Sequence, residues 1–118
     1  MMTYFKMTEF TCKCGCKACN MDKDFLDMID EARYFAEVPF KITSGYRCKD
    51  HNKFVGGSST SSHLKGYAAD IKYTSELQLV KIIHGLTLAG FSRIGINADK
   101  KFIHVDNDPN KPNAIFTY

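Results

Sequence analysis

Proline is scarce, three residues in 118, and no apolar run approaches the roughly 20 residues needed to span a bilayer. With only 8 glycines, no repeat and no low-complexity tract, the composition argues against disordered, collagen-like and coiled-coil chains. The start, Met1-Met2-Thr3-Tyr4-Phe5-Lys6, lacks the charged-then-apolar layout of a secretory signal, so synthesis in the cytoplasm is expected. Any action outside the cell of synthesis would then need release by other means. What is present, 44% hydrophobic and 25% charged residues, suits one compact domain over 1–118. Such a domain buries roughly two thirds of the surface its unfolded chain would expose.

The net charge of +3 conceals an asymmetry. Between Asp22 and Glu37 lie six of the 13 acids and only two bases, Lys23 and Arg33, so the rest of the chain carries an excess of +7. A basic remainder favours an anionic partner, whether nucleic acid, an acidic polymer or a carboxylate-bearing substrate, and it also serves solubility.

Residues 1–21 read as an irregular, cysteine-rich segment packed on the domain. Asn20 or Asp22 can cap a helix in which Phe25, Ile29, Ala32 and Ala36 recur at helical spacing, and Pro39 ends it. Phe40 to Thr43 alternates as a strand does and enters a sharp turn at Gly45. A polar loop, about Gly56 to Gly66, leads to a second strand, Ala68 to Tyr73. Ser75 is a candidate cap for a helix reaching about Ala89, with Leu79, Ile82, Ile83 and Leu86 on its apolar stripe. Strands at Arg93 to Ile96 and Phe102 to Val105 flank the turn 97–101, and Ala114 to Phe116 can add an edge. The expected class is α+β, a small, mainly antiparallel sheet packed with two main helices.

Chemistry gathers in three places. In Ser61-Ser62-His63-Leu64-Lys65-Gly66-Tyr67-Ala68-Ala69-Asp70 an imidazole and a carboxylate stand seven residues apart. That is roughly 10 Å along a helix or 23 Å along a strand, so only a chain that turns back, as Gly66 permits, could bring both to one metal ion. In Phe102-Ile103-His104-Val105-Asp106, a strand puts His104 and Asp106 on one face and Ile103 and Val105 on the other. Two histidines and one aspartate can hold a zinc ion while leaving its fourth position open. Arg47, after Ser44-Gly45-Tyr46, offers a planar fork for a carboxylate or a developing oxyanion, or else a surface pair with a neighbour such as Asp50.

These residues resemble a known family. Ser61-x-His63-x-x-Gly66-x-Ala68-x-Asp70 is similar to the SxHxxGxAxD signature of the zinc D-alanyl-D-alanine carboxypeptidase family. That family includes phage L-alanyl-D-glutamate endopeptidases and has the hedgehog/DD-peptidase fold. The resemblance extends over about residues 4 to 106, through Phe10-x-Cys12-x-Cys14-Gly15-Cys16, Ile42-Thr43-Ser44-Gly45-Tyr46-Arg47 with His51-Asn52, Val55-Gly56-Gly57, and Phe102 to Asp106. It implies that His63, Asp70 and His104 bind one catalytic zinc, that Arg47 binds and polarises the substrate carbonyl or its carboxylate, and that Ser61 lines the site. The implied substrate is a D-amino-acid-containing bond in the peptidoglycan stem peptide of the bacterial cell wall, reached after release from the cell. A monomer with no nucleic-acid partner and no membrane span is expected.

The sequence departs from the family pattern at one position. Many members carry a catalytic Glu or Asp three residues before the last histidine ligand, and here Lys101 stands there. Asp106 is then the foremost carboxylate for proton transfer and Asp99 the next, although Asp106 could instead orient a ligand. The missing acid also leaves open a zinc-binding homologue that binds cell wall without turnover.

The five cysteines admit several states. Cys12, Cys14, Cys16 and Cys19 could hold a second, structural zinc, with Cys48 able to replace one ligand. Free or partly oxidised thiols and a specific disulfide are the alternatives. His51 and His84 read as structural.

Overall fold

The computed structural model describes residues 2–118, so Met1 lies outside it. Asp22 caps helix α1 (Lys23–Ala36), its side chain accepting from Phe25 N at 2.9 Å. The helix ends at Glu37 in the left-handed conformation, two residues before Pro39. Helix α3 (Glu76–Leu88) starts at Ser75, whose side chain accepts from Gln78 N. Between them lies helix α2 (Lys49–Phe54), for which the sequence offered no amphipathic pattern. Short 3-10 turns form at Met7–Phe10 and Ser62–Lys65.

Five strands, β1 (Lys41–Ser44), β2 (Ala68–Lys72), β3 (Arg93–Asn97), β4 (Phe102–Asp106) and β5 (Ala114–Thr117), build one sheet. Their order is β1-β2-β4-β3-β5. Among the described residues only the β3/β5 pairing is parallel, so the α+β, mainly antiparallel expectation holds.

Alternation along the strands sorts the side chains between two faces. Ile71, Ile94, Ile103 and Val105 are buried in the hydrophobic core, where Phe25 and Ile29 of α1 and Ile82 and Leu86 of α3 join them. At the helix contact a Cβ on Gly85 would lie 2.3 Å from Ala32 O, so this glycine sets how closely α3 approaches α1. Phe5 and Phe10 carry the N-terminal arm into the same core, and buried Asp30 of α1 accepts from Thr3 N and Tyr4 N to hold its start. With one face of the sheet covered by helices, the chemistry-bearing residues collect on the other.

Candidate metal centre

Strand register builds the floor of a cleft. Ser44 stands opposite Asp70, Asp70 opposite His104, His104 opposite Gly95 and Gly95 opposite Phe116, one row across all five strands. A bulge between Ile42 and Ser44 shifts the β1 register and aims Ser44 into that row. A Cβ on Gly95 would lie 2.4 Å from the Phe116 ring, so glycine there lets the ring approach His104, at 6.0 Å between centroids.

His63 arrives from outside the sheet, on the 3-10 turn that Ser61 starts by accepting from His63 N at 3.2 Å. The turn ends at Gly66 with φ +78, where a Cβ would meet Asn20 O at 2.0 Å. Left-handed backbone and lack of space both require glycine, and the reversal brings His63 over Asp70. His63 Nε2 lies 3.3 Å from Asp70 Oδ1, and His104 Nδ1 lies 3.2 Å from the same oxygen.

The far nitrogens of both rings are engaged. His63 Nδ1 must carry its proton, because it donates to the Gly45 carbonyl at 2.8 Å, leaving the Nε2 lone pair facing the cleft. His104 Nε2 donates to Asp106 Oδ2 at 2.6 Å, leaving Nδ1 towards Asp70. Burial alone would raise the Asp70 pKa, but hydrogen bonds and charge from His104 and His63 outweigh it and hold the carboxyl well below its usual range. Burial opposes charge on His104, yet Asp106 and Asp70 together raise its pKa.

Bonds of about 2.0–2.2 Å to nitrogen and oxygen place tetrahedral zinc ligand atoms roughly 3.3 Å apart, the spacing of each imidazole nitrogen from Asp70 Oδ1, and all three atoms lie within 4.8 Å of one another. His63, Asp70 and His104 form one of two such clusters of metal-ligating groups among the described residues. The other consists of Cys12, Cys14, Cys16 and Cys48, with Cys48 in the place the sequence reading gave first to Cys19.

Arg47 forms the wall beside the floor. Its Nε donates to Ser44 Oγ at 3.0 Å and its Nη1 to Asn52 Oδ1 at 3.1 Å, while Nη2 stands 3.5 Å from Asp70 Oδ2. Asn52 on α2 is buried, and its Nδ2 donates to Ser58 O at 2.9 Å. A Cβ on Gly57 would fall 2.1 Å from Asn52 Oδ1, so the Val55-Gly56-Gly57 stretch packs directly on the residue that holds the guanidinium. The alternative of a surface pair with Asp50 is not what is seen.

Asp106 occupies the back of the centre. It is 1% exposed, receives His104 Nε2 on Oδ2 and Asp108 N on Oδ1, and lies 3.2 Å from Arg93 Nε in an ion pair not aligned as a hydrogen bond. It borders a hollow with Arg93 and Asn107 rather than the cleft above His63 and His104. Asp99 sits in the exposed turn before β4 and also lies outside the cleft lining. The cleft itself, about 500 Å³, is bordered by Arg47, Ser61, Lys100, Phe102, Phe116 and Tyr118 around the three candidate ligands. Desolvation of the phenol, then the Asp70 carboxylate, push the Tyr118 pKa up to about 12.

Sequence reasoning missed Asn52 as the holder of Arg47, Arg93 as the partner of Asp106, and Phe116 and Tyr118 as cleft walls. Asn52 carried a signal, its place in the His51-Asn52 pair after Arg47, whereas the others depend on strand order.

Two imidazoles and a carboxylate around an open cleft, on the free face of a mainly antiparallel sheet, are a donor set that could hold a metal ion of the kind hydrolytic centres use. A family model described as Peptidase M15 matches residues 3–106, and the chain belongs to that family of zinc-dependent metallopeptidases. No curated protein matches the chain.

Proposed function

We propose that this metallopeptidase hydrolyses D-amino-acid-containing bonds in the stem peptides of bacterial peptidoglycan, acting at the cell wall. The observation that carries the reading is a three-ligand set open to a cleft whose borders include Arg47, Lys100 and Lys111, a cationic surround suited to a short peptide with a free carboxylate. The D-configuration comes from the resemblance of the Ser61 to Asp70 and Phe102 to Asp106 motifs to wall carboxypeptidases and endopeptidases.

His63, Asp70 and His104 would hold the zinc. When bound, zinc lowers the pKa of water towards about 7 and polarises a carbonyl oxygen. Arg47, fixed by Ser44 and Asn52, presents its guanidinium to the substrate carbonyl or carboxylate, and its hydrogen bonds strengthen as negative charge develops there. Ser61 both borders the cleft and shapes the turn that carries His63. Asp106 acts through His104: by accepting the Nε2 proton it fixes the tautomer that leaves Nδ1 free to ligate, which makes it a positioning residue.

The test is digestion of purified peptidoglycan by zinc-replete protein, with fragment masses read by mass spectrometry. Loss of a terminal D-alanine assigns a carboxypeptidase, and separated stem fragments assign an endopeptidase. Absence of both products over several wall types overturns the enzymatic reading. One observation favours a second reading in that event: Asp70 is the sole carboxylate side chain bordering the cleft among the described residues, as suits a wall-binding module that keeps zinc without turnover. Pull-down with insoluble peptidoglycan, undiminished by the absence of cleavage, would support that module.

A further inference from the structure

Between the Met7–Phe10 turn and helix α1, the N-terminal arm brings sulfur atoms together that an extended chain would keep apart, and it meets Cys48 at the N-cap of α2. In an extended chain Cys12, Cys14 and Cys16 would share a face at intervals of about 6.7 Å, spreading the outer two over roughly 13 Å. Here the chain curls at Gly15, φ +92, and Lys17, φ +63, and Cys12 N donates to Ala18 O at 2.8 Å to close the loop. The loop lies against the segment after β1, where Tyr46 N donates to Phe10 O at 2.9 Å and a Cβ on Gly45 would strike the Phe10 backbone at 2.7 Å. That contact delivers Cys48 to the other three.

We propose that Cys12, Cys14, Cys16 and Cys48 bind a second zinc ion, a closed structural site. The four sulfurs lie within 4.8 Å of one another, with Cys12 to Cys14 at 3.4 Å and Cys14 to Cys48 at 3.6 Å. A tetrahedral zinc with bonds of about 2.3 Å to sulfur requires sulfurs roughly 3.8 Å apart, whereas a disulfide requires about 2.05 Å. All five cysteines are free thiols here. Backbone N–H groups already point at two of the sulfurs, Cys48 N at Cys12 Sγ and His51 N at Cys48 Sγ, both at 3.4 Å, as suits bound thiolates. Cys19 is elsewhere, its Sγ 3.7 Å from Met7 O.

Binding would release four thiol protons to solvent and leave a complex of charge −2, with Lys13, Lys17 and Lys49 adjacent in sequence. The ion would tie the N-terminal arm to the residue after Arg47, and so would anchor the wall of the cleft from behind.

The experiment counts zinc by elemental analysis and native mass spectrometry in the full chain, purified under reducing, anaerobic conditions. Wild type is expected to hold two equivalents, and His63→Ala one, which an organomercurial thiol reagent releases. Cys19→Ser is expected to keep two, and Cys48→Ser one. In wild type, four thiols should be shielded from a chromogenic disulfide reagent until the mercurial or a chelator is added. One equivalent in wild type and none in His63→Ala would overturn the proposal, as would five thiols reacting at once or a mass two units low from a disulfide. These readouts are independent of peptidoglycan cleavage, so an inactive protein with two zincs would refute only the substrate reading. If Cys48→Ser fails to fold, the wild-type thiol titration and Cys19→Ser still decide.

Discussion

The histidine-aspartate centre and the cysteine cluster sit on either side of Arg47, and they differ in ligand number and in what supports them. The first has three candidate ligands, two of them on adjacent strands with their side chains set by register, and it opens onto a cleft. The second draws four thiols from two loops that meet side by side. An open set of nitrogen and oxygen ligands suits chemistry, and a closed set of sulfurs suits fastening the chain. Strand register positions the histidine and aspartate, while the loops behind Arg47 are held by scattered backbone contacts such as Tyr46 N to Phe10 O, to which the proposed zinc would add a clamp.

Chelation separates the two most sharply. With a graded chelator, the three-ligand zinc is expected to leave first, and activity should fall to the background of the peptidoglycan assay with little change in melting temperature. The four-thiolate zinc should leave later with a distinct drop in melting temperature. Simultaneous loss of both would break the division into a catalytic and a fastening site, and differential scanning fluorimetry against zinc content decides it.

The next largest effect is expected at Arg47, which the two sites share as neighbour. Arg47→Ala should lower kcat by about 10²–10³-fold with zinc content unchanged, the usual cost of removing a group that holds developing charge. Arg47→Lys should restore little, because an ammonium cannot reproduce the fork fixed by Ser44 and Asn52. Steady-state kinetics with a defined stem peptide supplies the measurement.

Asp106 probes the support behind the first centre. Asp106→Asn should weaken zinc binding at that centre by about 10–100-fold, with activity recovered at excess zinc and the pH profile retained. Full zinc affinity with abolished hydrolysis would instead give Asp106 the proton-transfer role.

The smallest effect is one of stability and pH. Asp108 is buried below the Ser62 turn. Burial would raise its pKa, but Asn110 N, the Ser62 hydroxyl, Lys65 and Lys111 together lower it from the ordinary 3.8. A depressed folded pKa means that the unfolded chain takes up protons first as pH falls, so this stabilisation is full above about pH 4 and is lost through the acid range. Asp108→Asn should therefore lower the urea midpoint at pH 6, and the gap from wild type should narrow as pH drops below 3.8. A constant gap would remove Asp108 from acid sensitivity.

Much of this arrangement was legible in the chain because it rests on local rules. Asp22 and Ser75 cap the two main helices as expected, Pro39 follows the first, and the alternation around His104 put Ile103 and Val105 in the core. Gly66 announced the reversal between His63 and Asp70 by its position alone. Helix α2 escaped notice because six residues are too few to display a period, and its cap is a cysteine. Tyr118 and Phe116 escaped because β5 reaches the cleft only through parallel pairing with β3, a contact that local pattern does not encode. Cys48 entered the cluster instead of Cys19 because proximity along the chain favoured Cys19, whereas the Phe10 to Tyr46 contact brings Cys48 in across 36 residues from Cys12.

By itself, then, the sequence determined the two main helices, the strands, the family and the candidate ligand residues, since caps, periods and a spaced motif are properties of neighbouring residues. Tertiary structure alone decided which nitrogen of each histidine faces the cleft, that Asp106 stands behind His104 rather than over it, and which four sulfurs converge. Those choices follow from strand register and loop contact between segments distant in the chain, where a shift of one residue would send a side chain to the other face of the sheet.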